Sequence, residues 1–212
     1  MSRLETADEF HARVAAATDD EGRLPVAIEL MPGWDIFPFE LDGLRIKPLQ
    51  DMYDVEPPRR GEDPDECPCR QPDDPERAAE VVWSNERWRL RLLDMRIPLA
   101  MILQPRAHHD LADLPDDLAS EMGRLMVAVA GAVEELPSVG RCHLGRYGDG
   151  GAHLHPFFFG RPARMPQLRG STLLDWEENL PAVPDDVRRA NAAHVGHRLV
   201  ERLGGDGPAW EA

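Results

Sequence analysis

Residues 113–136, DLPDDLASEMGRLMVAVAGAVEEL, constrain this chain more than any other segment. Leu118, Met122, Leu125, Met126, Val129 and Val133 recur at helical spacing, which predicts a long helix with one apolar face. Asp113 or Asp116 is placed to cap its start, and its acidic first turn suits the helix dipole. Pro137 ends it. An apolar face of that length has to be covered by another element, and the flanking sequence supplies strands rather than helices.

Before the helix, AEVVWS (79–84) and RWRLRLL (87–93) read as two strands around a turn at Asn85-Glu86. PLAMILQP (98–105) is nearly all apolar, as expected of a central strand. After the helix, GRCHLGRYG (140–148) alternates, DGG turns, and AHLHPFFFG (152–160) reads as a last strand. The order is strand, strand, strand, helix, strand, strand. It predicts an α+β fold, an antiparallel sheet of about five strands with packed helices.

The rest is less patterned. Residues 3–17 carry a weak amphipathic helix on Leu4, Ala7, Phe10 and Val14, and 25–46 hold short apolar runs suited to two strands. PPRRGEDPDECPCRQPDDPE (57–76) has no hydrophobic period and reads as an exposed loop. Beyond Arg161, STLLDWEENL (171–180) suggests a short helix. PDDVRRANAAHVGHRLVERLGG (184–205) suggests a longer one, with proline at its start and glycine at its end. The division expected is an N-terminal extension (1–65), a central domain (66–162) and a C-terminal helical extension (163–212).

With 42% hydrophobic and 30% charged residues in 212, the chain can bury a core without disulfides. Its three cysteines, Cys67, Cys69 and Cys142, argue against a disulfide framework, and the close pair points to a metal or to chance. No run approaches eighteen apolar residues, and the N-terminus is charged, so a cytoplasmic protein without a membrane partner is expected. A net charge of −15 argues against nucleic acid as a partner.

The chemistry-bearing residues are histidines. His153 and His155 alternate, which in a strand places both on one face. They follow a glycine turn, Gly148, Gly150 and Gly151, whose backbone N–H groups are suited to an anion. His108 and His109 follow the central strand directly. If strand 98–105 lies beside 152–158, the four histidines meet, with Arg106, Arg146 and Arg161 as sources of positive charge for a phosphate.

These segments together resemble the histidine triad superfamily, which includes galactose-1-phosphate uridylyltransferase. The resemblance rests on ILQPRAHHDLADLPDDLASEMGRL, with Pro105, Arg106 and His108; on GDGGAHLHPFFFGRP; and on CPCRQPDDPERAAEVVWSNERW. It covers roughly Glu66 to Pro162. It implies a nucleotide phosphohydrolase or nucleotidyltransferase in which His155, the middle position of the alternating histidines, attacks an α-phosphate and forms a covalent nucleotidyl-histidine. His153 would orient the nucleophile or hold zinc, and His108 would line the site. Gly148, Gly150 and Gly151, with Arg146 and Arg161, would bind the phosphate. A rival register makes His153 the middle residue and Gly151 the first, but shortens the lead-in from Gly148. The resemblance implies a homodimer and no obligatory cofactor. Its zinc ligands would be Cys67, Cys69, His108 or His109, and His153.

The sequence departs from that pattern in three ways. Phe157 stands where a third histidine belongs, and the uridylyltransferase branch has glutamine there. Phe157 neither hydrogen-bonds a phosphate nor passes a proton, which favours the alternative of a non-catalytic nucleotide-binding or dimeric scaffold protein. The cysteine pair is C-x-C rather than C-x-x-C, and a one-residue spacing strains joint ligation of a tetrahedral ion. Long segments flank the domain on both sides.

Overall fold

The protein is described by a computed structural model over residues 3–20, 22–24, 56–70, 75–170 and 172–211. The two strands expected within 25–46 lie outside the described residues. Helix α1 (Ala7–Ala15) opens on a capping box, in which the Thr6 hydroxyl accepts from the Glu9 N–H and the Glu9 carboxylate accepts from the Thr6 N–H. Two 3₁₀ turns, Pro64–Glu66 and Pro68–Arg70, precede the one-turn helix α2 (Pro75–Ala78). The central elements are β1 (Val81–Ser84), β2 (Trp88–Leu92), β3 (Leu99–Pro105), α3 (Asp116–Glu134), β4 (Val139–Gly145) and β5 (Phe157–Pro162). After them come α4 (Thr172–Glu177) and α5 (Asp185–Leu203).

The strands form one five-stranded antiparallel sheet in the order β1-β2-β3-β5-β4. The β1–β2 turn is built by Asn85, whose side-chain oxygen accepts from the N–H groups of Arg87 and Trp88. Helix α3 carries the chain from central β3 to edge strand β4, and β5 returns between them. Neither aspartate expected to cap α3 does so. Its N-cap is Pro115, and Asp113 instead joins Asp110 in capping the 3₁₀ turn Leu111–Asp113.

One face of the sheet holds the main core. Trp88, Leu90, Leu92, Leu99, Met101, Leu103 and Phe158 meet Leu118, Leu125, Val129 and Val133 of α3. Ala192, Val195 and Leu199 of α5 share that core. The segment read as an extension beyond residue 162 thus supplies part of the central packing. The other face carries a smaller cluster of Phe10, Val14, Ile97, Ala100, Phe159, Leu168, Leu173 and Leu180. Strand β3 is buried on both faces, which is why its sequence is a continuous apolar run rather than an alternating one.

The last strand begins later than its sequence suggests. Ladder pairing starts at Phe157 because Pro156 has no N–H to donate. His153 and His155 therefore sit in the irregular segment that leads into β5, not in the strand.

Two glycines show how closely α5 approaches the sheet. A Cβ on Gly196 would lie 2.5 Å from the Val82 carbonyl oxygen and 3.0 Å from Pro208, whereas one on Gly123 of α3 would meet nothing within 4 Å. Alanine in an open helix position gains up to about 1 kcal/mol over glycine. Gly123→Ala is expected to raise the unfolding free energy by up to about 1 kcal/mol, read as a higher urea midpoint at unchanged slope. Gly196→Ala, despite the same propensity gain, is expected to lower stability by about 1–3 kcal/mol through overpacking. Equal and positive shifts for the two variants would refute the close packing of α5.

Candidate functional site

The segment Gly151–Pro156 is clamped across the end of β3. Leu154 donates its N–H to the His109 carbonyl at 2.7 Å, and Leu103 donates to the Pro156 carbonyl at 3.0 Å. The Leu154 side chain is 1% exposed, and its burial contributes about 2 kcal/mol. Held in this way, the histidines on either side of Leu154 go to different surroundings.

His153 turns toward the cysteine pair. Its Nε2 lies 2.9 Å from the Pro105 carbonyl oxygen, which only accepts, so Nε2 carries the proton. The lone pair is then on Nδ1, 3.6 Å from Cys67 Sγ. His108 places its own Nδ1 3.6 Å from Cys69 Sγ. The two imidazoles meet edge to face with centroids 5.5 Å apart. The four donor atoms of Cys67, Cys69, His108 and His153 all lie within 4.8 Å of one another.

This donor set fits a tetrahedral ion. With Zn–S near 2.3 Å and Zn–N near 2.0–2.1 Å, the S···N edge of a tetrahedron is about 3.6 Å. A proton on the remote ring nitrogen, donated to a backbone carbonyl, is also the usual support for a ligating histidine. The C-x-C spacing is accommodated because Cys67 is an extended residue (φ −68°, ψ 135°) at the junction of the two 3₁₀ turns. The stretch around it is not the plain exposed loop that its composition suggests, since Cys67 is 2% exposed. Burial pushes the His153 pKa down to about 4, only partly offset by its bond to Pro105. Burial, then the neighbouring Cys67 thiol, pushes Cys69 up to about 11. Metal-free, His153 and Cys69 are therefore neutral at pH 7, and an ion would bind Cys69 with release of its thiol proton.

His155 faces away from the cysteines. Its Nδ1 hydrogen-bonds the His153 carbonyl, which only accepts, so Nδ1 carries a proton. A Cβ on Gly151 would lie 3.6 Å from His155 Cε1, so the imidazole borders the end of the glycine turn. Phe157 meets it edge to face at 5.5 Å. Gly148 adopts φ +83°, and a Cβ there would also lie 2.5 Å from the Arg146 guanidinium.

Two arginines stand at this turn, both on one carboxylate. Asp110 accepts from Arg59 at 2.6 Å and pairs with Arg146, and Arg59 also donates to the Gly148 carbonyl at 3.3 Å. Partial burial raises the Asp110 pKa, but hydrogen bonds from Arg59, Leu111 and Arg146 outweigh it and hold the carboxyl below its usual range. The neighbouring Arg60 accepts through its backbone carbonyl from the Ala152 N–H at 3.0 Å and bridges to Gly151, tying the 56–62 stretch to the turn.

Of the residues expected at the site, Cys67, Cys69, His108 and His153 form one cluster. His155, Gly148, Gly150, Gly151 and Arg146 belong to the adjoining turn. His109 contributes its backbone carbonyl. Arg161 lies at the far end of β5, with its guanidinium against Gly140 of β4, so it does not join the glycine turn. Arg106 donates to the Asn85 carbonyl at 2.8 Å. Arg59 was not anticipated. The only trace of it in the sequence is an Arg-Arg-Gly step shortly before the cysteine pair.

No protein-family model matches the chain, and no curated protein matches it in sequence. Solved structures do match. A histidine triad protein from Sinorhizobium meliloti aligns at TM-score 0.48 and 16% identity, over 60% of this chain and 96% of that one. A zinc-bound histidine triad family protein from Mycobacterium smegmatis aligns at TM-score 0.42 and 16% identity, over 58% and 86%. A uridylyltransferase aligns at TM-score 0.40 and 14% identity, over 59% of this chain and 42% of its own.

Proposed function

We propose that this chain is a divergent histidine triad protein that binds a nucleoside phosphate at the glycine turn, with His155 as the nucleophile toward phosphorus. The observation that carries this reading is the split between the two histidines. His153 turns to the cysteines, while His155, held through Nδ1, borders the glycine turn. A neutral imidazole nitrogen is a competent nucleophile at neutral pH.

Cys67, Cys69, His108 and His153 would hold a zinc ion. With four protein donors and no open position, such an ion supplies a structural cross-link rather than a Lewis acid. What it would fix is the His153 backbone, whose carbonyl in turn orients His155. His153 and His108 are then positioning residues, and Arg59 and Arg146 are cations in contact with the turn. A phosphate there would compete with Asp110 for them.

Attack would form the Nε2–P bond and break the bond from phosphorus to the leaving group, which departs with the electron pair. Phe157 has no proton to give that group. The chemistry therefore suits a leaving group stable as an anion, such as the phosphate released from a phosphate anhydride. An amine, which must be protonated as it leaves, is disfavoured. Water or another acceptor would then release the nucleotidyl group from His155. The aromatic row at Phe157 gives the second reading its support, a protein that binds nucleotide without turnover.

Three outcomes are expected. Purified protein should contain about one zinc per chain by elemental analysis. Cys67→Ser should lose it and fall in thermal midpoint by about 6–12 °C, corresponding to about 3 kcal/mol. A metal-free wild type of unchanged midpoint would remove the structural role. Dinucleoside polyphosphates should give a nucleotidyl adduct on His155 by mass spectrometry. His155→Ala should abolish both adduct and turnover, by at least about a thousandfold, and phosphoramidates should turn over far more slowly than anhydrides. Tight nucleotide binding with no adduct on any anhydride would decide for the binding protein.

A further inference from the structure

Arg141 and Arg161 stand opposite each other across β4 and β5. Cross-strand partners share one face of a sheet, and like charges set directly opposite repel. The ladder is irregular between Val139 and Arg141, and Gly140 is the residue at that step. Both guanidinium groups converge on it. Arg141 donates from Nη1 to the Gly140 carbonyl at 2.8 Å, and a Cβ on Gly140 would lie 2.5 Å from Arg161 Nη2. A residue without a side chain leaves Arg161 that position.

Carboxylates are plentiful in this chain. It carries 39 acidic residues against 24 basic ones, and Arg13, Arg91, Arg188 and Arg198 each hold a carboxylate. Among the described residues, Arg141 and Arg161 hold none, and their hydrogen bonds go to the carbonyls of Gly140 and Pro162. Burial, then the charges of Arg169 and Arg141, push the Arg161 pKa down, and Glu134 offsets this only in part. The Glu134 carboxylate accepts from the Cys142 N–H at 3.0 Å. Two cations are thus gathered at Gly140 without an ion-pair partner among the described residues.

Geometry and charge decide the class of occupant. Arg141 is exposed and Arg161 half-buried, so the pair is open to a ligand. A guanidinium carries five N–H donors in a planar fork, and each of these two directs only Nη1 at a carbonyl. A planar carboxylate accepts from one fork in its own plane and brings one negative charge. A tetrahedral dianion offers oxygens in two directions and cancels both positive charges, which also removes the repulsion between the arginines.

We infer that Arg141 and Arg161, gathered over Gly140, form a second anion site that takes a phosphate dianion, free or as a monoester. Arg161 stands about 13 Å along β5 from Phe157, the ring against His155. That separation exceeds the roughly 8–10 Å over which exposed charges act at physiological salt. The site therefore stands without the reading of His155 and the glycine turn.

The test follows the arginine Nε–Hε signals of the full chain by NMR, at about pH 8, where a phosphate group is mainly the dianion. Inorganic phosphate, methyl phosphate, dimethyl phosphate and chloride are titrated into wild type, Arg141→Gln, Arg161→Gln and Arg59→Gln. Thermal midpoints close to that of wild type establish that the variants fold. Inorganic phosphate and methyl phosphate are expected to shift the Arg141 and Arg161 signals to saturation, and the monoanions dimethyl phosphate and chloride are not. Arg141→Gln and Arg161→Gln should each weaken that binding by at least about tenfold, while Arg59→Gln leaves it unchanged. Whichever of the two phosphates binds more tightly, saturation supports the site, and the order tells an ester from the free anion. Shifts that never saturate, an equal response to chloride, or unchanged affinity in both glutamine variants of the pair overturns it. Failure of the phosphate reading at the glycine turn looks different: the Arg59 and Arg146 signals would stay still while those of Arg141 and Arg161 move.

Discussion

A single leucine between two histidines sets the geometry on which the rest of the site depends. Leu154 is drawn into the main core, and its backbone N–H is spent on the His109 carbonyl. The residues before and after it therefore project to separate environments, one toward the thiols and one toward the glycine turn. Any loss of that anchor would move both histidines together. The clamp also explains why the ladder of β5 is absent here. The segment is held by one hydrogen bond from Leu103 of β3, one to His109 in the loop beyond it and a buried side chain, instead of by regular pairing.

Asp110 plays a comparable part on the other side of the turn. It caps a 3₁₀ turn through its own side chain and accepts from two guanidinium groups that arrive from distant parts of the sequence. Arg59 also pairs with Glu62 at 3.0 Å, so two carboxylates match the two guanidinium charges.

The sheet and the two long helices were legible because their signals are periodic. The alternation in β2, the continuous run in β3 and the spacing of Leu118, Leu125, Val129 and Val133 each report burial directly. The site was legible only in part. Cys67, Cys69, His108 and His153 were nominated together through a family resemblance, while the C-x-C spacing argued against them. That objection fails because two turns meet at Cys67, a matter of backbone path that residue spacing does not encode. The placement of His153 and His155 in a strand ignored Pro156, which has no hydrogen to give the ladder. Arg59 was lost in a segment whose composition reads as solvated loop, and Arg161 was gained wrongly because strand length was not weighed.

The return of residues after 162 onto the sheet bears on how the chain is made. Ser84 at the end of β1 bridges to Asp206, and Trp83 donates its indole N–H to the Gly204 carbonyl at 2.8 Å. Among the described residues strand β1 lies at the sheet edge, and Asp206, which pairs with its end, follows α5. During synthesis the whole sheet emerges before the segment that covers this edge, so the nascent chain carries an open strand and an uncovered patch of core until α5 docks. Unpaired edges and bare apolar surface are what draw chains into association. The interval before α5 arrives is therefore the stage at which this protein is most exposed to chaperones and to aggregation, whatever the stability of its finished fold.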